Sequence, residues 1–80
     1  MESNQITLLN MPMGTSARVL AIKSSKRTTE KLHQLGIRVG VDIELLRAAP
    51  LEGPLLIRVS GREIAIGYEL CSSILVGERN

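Results

Sequence analysis

Apolar residues fall in short alternating runs, broken by glycine, proline and polar clusters. Val41 to Ala48 is the cleanest run: Val41, Ile43 and Leu45 share one face, Asp42 and Glu44 the other. That period of two predicts a half-buried strand. Thr15 to Ile22 reads as another, with Ala17, Val19 and Ala21 on one side. Leu20 and Ile22 fall on the other and are expected to turn inward as the sheet curves. Leu55–Val59, the pair Ser60-Gly61 and Ile64–Ile66 read as a tight antiparallel hairpin, Gly61 being free to take positive φ. Before it, Pro50, Gly53 and Pro54 make a corner that no strand crosses easily, because proline lacks the ladder N–H. Ile6–Leu9 is a short apolar run and Ile74–Val76 a last strand.

Helical signals are brief. Lys23–Thr28 is a polar loop; Thr28 or Thr29 then reads as a cap, with Glu30 in the first turn. Leu32 and Leu35 share a face, and Gly36 suits a left-handed helix end. A helix over about 28–35 is predicted, its two leucines plugging one end of the fold. Gly40 reads as a turn, and Gly67–Ser72 as one helical or 3-10 turn. Five short strands with close turn signals predict a small all-β barrel carrying one short α-helix.

Composition narrows what such a domain does. Eighty residues suit one domain. With no Phe or Trp, and Tyr68 the single aromatic, the core is aliphatic. No aromatic platform exists for stacking single-stranded nucleic acid or gripping proline-rich peptides. Net charge is only +2, so the pI near 9.1 is not that of a dedicated nucleic-acid binder. A lone cysteine, Cys71, excludes an internal disulfide and fits a reducing compartment. No apolar run is long enough for a bilayer span, and MESNQITLL lacks the features of a secretory signal. A cytoplasmic protein without direct membrane insertion is expected.

Candidate chemistry is sparse. His33 and Cys71 lie far apart, with no CxxC or HxxxH spacing, so no metal site is expected. His33 reads as solvated and Cys71 as a small buried hydrophobe. Asp42, Glu44, Glu52 and Glu63 read as surface charges. Neither GxxxxGK[ST] nor GxGxxG occurs. We expect no catalytic residue and no cofactor. Lys23, Lys26, Arg27 and Lys31 form a basic cluster, read either as a solvated loop or as a docking site for an acidic partner or anionic headgroups. Leu46, Leu51, Leu56 and Leu75 have parity opposite to the inward set. Some of them must cap the open ends of so small a barrel, so each is expected in the core; several exposed together would form an interface.

Several segments, taken in order, resemble one family. They are Met11–Gly14, Leu32–Gly40, the Pro50–Pro54 corner and Gly61–Ile66 (Gly-Arg-Glu-Ile-Ala-Ile), with Ile74–Val76 closing. From about Leu8 to Val76 the chain is similar to FeoA ferrous iron transport proteins. The same domain ends some DtxR-type metal-dependent repressors. The resemblance implies an SH3-like β-barrel and a cytoplasmic accessory role beside FeoB, a membrane ferrous iron transporter with a GTPase domain. Many relatives carry a basic residue where this chain has Gly67. The expected function is therefore a protein–protein interaction module. The corner side would dock, through Leu51, Pro54, Leu56 and Tyr68, with Lys26 and Arg27 speeding encounter. The other reading is a detached repressor-type or nucleic-acid-associated module. A homo-oligomer is compatible with either.

Overall fold

A computed structural model describes residues 5–77. In chain order it contains β1 (Ile6–Thr7), a 3-10 turn (Leu8–Asn10), β2 (Ser16–Ile22), α1 (Lys26–Gln34), β3 (Asp42–Ala48), β4 (Leu55–Val59), β5 (Arg62–Ile66), α2 (Tyr68–Cys71) and β6 (Ile74–Gly77). The six strands form one antiparallel sheet in the order β1-β6-β2-β3-β4-β5. This is one strand more than expected, because Ile6–Leu9 divides into a two-residue strand and the 3-10 turn. β1 and β5 are the two edges, each paired on one side only among the described residues, so no hydrogen bonds between them close the expected barrel.

Two register shifts bend the sheet, one between Val19 and Ala21, the other between Leu45 and Arg47. The first corrects an expectation. Leu20 does not turn inward; it lies at the irregularity and is exposed. Ile22 does pack against the core. The inward faces supply Val19, Ile43, Leu45, Ile57, Ile66 and Val76, all essentially buried. Each such aliphatic side chain contributes about 1.5–3 kcal/mol by leaving water.

The first helix begins earlier than the threonines suggested. Ser25 is its cap, accepting a 3.1 Å hydrogen bond from the Thr28 N–H through Oγ. Lys26 and Arg27 therefore occupy the first turn, which holds no acidic residue, and Glu30 lies beyond it. The other end matches the glycine signal. Gly36 sits at φ 93°, its N–H donating to His33, while the Ile37 N–H donates to Leu32. Those two bonds, with Leu32 and Ile37 both buried, make a Schellman ending. Arg62 on β5 donates from Nη2 to the Leu35 carbonyl at 3.0 Å, tying the helix end to the edge strand.

Candidate functional site

The β3–β4 connection is the least ordinary part of the surface. Ala49 N–H donates to the Pro54 carbonyl at 3.0 Å, closing the strand pair. Gly53 N–H donates to the Pro50 carbonyl at 3.1 Å, closing a four-residue turn. Its central residues, Leu51 and Glu52, lie at φ 58° and 60°, as in a type I′ turn. Neither is the glycine or asparagine such positions favour. Gly53 serves another need: a Cβ there would stand 2.8 Å from Ala49 Cβ. The turn thus lifts Leu51 into water at 97% exposure, correcting the expectation that it caps the core.

Beside the turn lies an apolar depression of about 130 Å³. Ala49, Pro54, Leu55, Leu56 and Ala65 line it, with Arg47. Strand register brings the strand residues together: Leu56 pairs with Arg47 on one side and Ala65 on the other. Pro54 and Leu56 therefore join Leu51 at one end of the sheet. Tyr68 does not line the depression; it opens α2, half-buried against the core. Lys26 and Arg27 are exposed on α1 and do not line the depression. Leu46, Leu56 and Leu75 are half-buried, so none of the opposite-parity leucines is full core.

Elsewhere the outer face is ionic. Arg58 bridges Glu44 at 3.0 Å and Glu63 at 2.9 Å, and Arg18 meets Asp42 at 3.1 Å. The Glu63 hydrogen bond and the Glu44 charge push the Arg58 guanidinium further up. Cys71 is fully buried, and desolvation lifts its thiol from 9.0 to about 12, leaving it a poor nucleophile at neutral pH. His33 is half-buried rather than solvated. Among the described residues, no group of three or more His, Cys, Asp or Glu could hold a metal ion. No helix there is long and apolar enough to cross a membrane.

The family model for the FeoA domain matches residues 6–78. The chain belongs to the FeoA family. A crystal structure of an iron uptake regulatory protein, FeoA, is 30% identical, with a TM-score of 0.81 over 91% of this chain and 94% of that one. FeoA from Stenotrophomonas maltophilia, solved with zinc and described as a procaryotic SH3 domain protein, is 24% identical (TM-score 0.75; 89% and 88% covered). A manganese-dependent transcriptional repressor shares the fold at 14% identity (TM-score 0.86), with 94% of this chain matching 42% of that one. No curated protein sequence matches. This FeoA chain thus carries the family fold around an exposed Leu51 turn.

Proposed function

We propose that this FeoA protein is a non-enzymatic cytoplasmic accessory of ferrous iron uptake, docking on a FeoB-type transporter through the Pro50–Pro54 corner. The observation that carries this reading is Leu51: a large apolar side chain almost wholly in water, on a backbone that disfavours it. Such a residue gains little from folding, and a rigid turn loses little entropy on binding. Pro54 and Leu56 extend the apolar contact beside it. FeoA from Stenotrophomonas maltophilia is described as a candidate ferrous iron transport activating factor, which supports the iron-transport context. Lys26 and Arg27 give the encounter surface its charge. They stand at the positive end of α1, where cations destabilise the helix, so their placement favours an acidic partner over stability.

The test separates binding from folding. Leu51→Asp and Leu56→Asp should leave circular dichroism unchanged, weaken pull-down of the transporter and reduce ferrous iron uptake. Reversing Lys26 and Arg27 to Glu should stabilise the helix by about 0.3–1 kcal/mol per site while slowing association, most visibly at low salt. If both leucine variants bind and support uptake like wild type, the docking face is wrong. Wild-type protein that never contacts the transporter ends the adaptor reading.

A further inference from the structure

The corner is complementary to itself. Leu51 is an exposed apolar knob; the depression flanked by Ala49 and Pro54 is an apolar hole next to it. Knob and hole in one patch meet the requirement for a two-fold interface, in which the same surface serves both subunits. The charges agree. Glu52 follows the knob and Arg47 borders the hole, and neither has an ion-pair partner among the described residues. We propose that this chain forms a two-fold dimer in which Leu51 of each copy seats in the other's depression and Glu52 meets the second copy's Arg47.

One side chain and its surroundings cover much less than the roughly 800 Å² per partner of a standard interface, so the dimer is weak and concentration-dependent. The hydrogen-bonded turn helps, since its backbone is set before contact and only the Leu51 side chain has rotamer freedom left to lose. The face is also the one assigned to docking above, so self-association and docking exclude each other. The dimer itself does not depend on that assignment and is measured without a transporter.

The experiment is sedimentation equilibrium on the purified chain from roughly 10 μM to 1 mM, a range that brackets weak association. Wild type should shift from monomer to dimer. Leu51→Asn is the principal variant, because asparagine accepts positive φ and the turn survives its introduction. It should raise the dissociation constant by about tenfold or more. Arg47→Glu and Glu52→Arg should each weaken the dimer; combined, they should restore it, a pattern that general stickiness does not produce. Circular dichroism confirms that each variant is folded. A wild type still monomeric at the top concentration overturns the proposal, leaving the docking assay to judge the transporter reading separately. So does a dimer indifferent to Leu51→Asn, or a double reversal no tighter than the single ones.

Discussion

Leu51 and Glu52 hold positive φ without the side chains that tolerate it. A left-handed backbone costs an ordinary L-residue about 1–2 kcal/mol. Replacing Leu51 with Gly should therefore stabilise the domain by up to about 1 kcal/mol, or roughly 4–8 °C in Tm, although the variant loses its apolar knob. A calorimetric Tm at or below wild type would show that the turn is not strained. Cys71 makes the opposite kind of prediction. Its folded thiol ionises near 12, above the ordinary 9.0. The sign follows from the raised value: the stabilising contribution is complete below the ordinary pKa and is lost as pH rises from there towards the folded one. Unfolding free energy should fall by up to about 1.4 kcal/mol per pH unit in that window. A Cys71→Ala variant should lack that component. At pH 7 the native thiol should resist alkylation that proceeds readily in denaturant.

The helix ends show how local signals divide between legible and hidden. Gly36 was readable because a glycine after Leu32 and Leu35 has one evident use. The start is not legible, since Ser25 and the threonines offer the same hydroxyl and only the observed bond to the Thr28 N–H decides among them. Ser25→Ala should cost about 1 kcal/mol, read from chemical denaturation, and Thr29→Ala much less. At the other end, Gly36→Ala must adopt φ 93° with its Cβ 3.3 Å from Arg62 Nη2, and should cost about 1–2 kcal/mol. Strand alternation identified the inward faces of β3 and β4 correctly. At Leu20 the alternation itself holds, since the side chain lies opposite Val19 and is exposed; what fails is the expectation that curvature turns it inward, and only Ile22, beyond the register shift, packs against the core. In the corner, the positive φ falls on Leu51 and Glu52 and not on Gly53, and neither residue type signals it. The exposed leucine was nameable as a candidate, but the depression beside it was not. It arises from Arg47, Leu56 and Ala65 lying across three strands, a matter of pairing register.

The whole domain is held by an aliphatic core beneath a six-stranded sheet, with α1 and the 3-10 turn sealing it. A protein this small has little margin, so one core deletion matters. Ile57, central in β4 and fully buried, is the place to test it. Ile57→Ala should cost about 2–5 kcal/mol, a large share of the stability of so small a domain. A loss under about 1 kcal/mol by denaturant titration would mean that the core is loosely packed. The outer ionic row is a weaker contributor. Its groups are substantially exposed, and Arg58→Met should change stability little at physiological salt. The bond from Arg62 to the Leu35 carbonyl has a wider reach. It joins the last turn of α1 to a strand with a neighbour on one side only. Amide protons in those two segments should therefore become exchangeable together, in one local opening smaller than global unfolding. With Arg62→Met, deuterium should enter the helix end and the edge strand at separate rates.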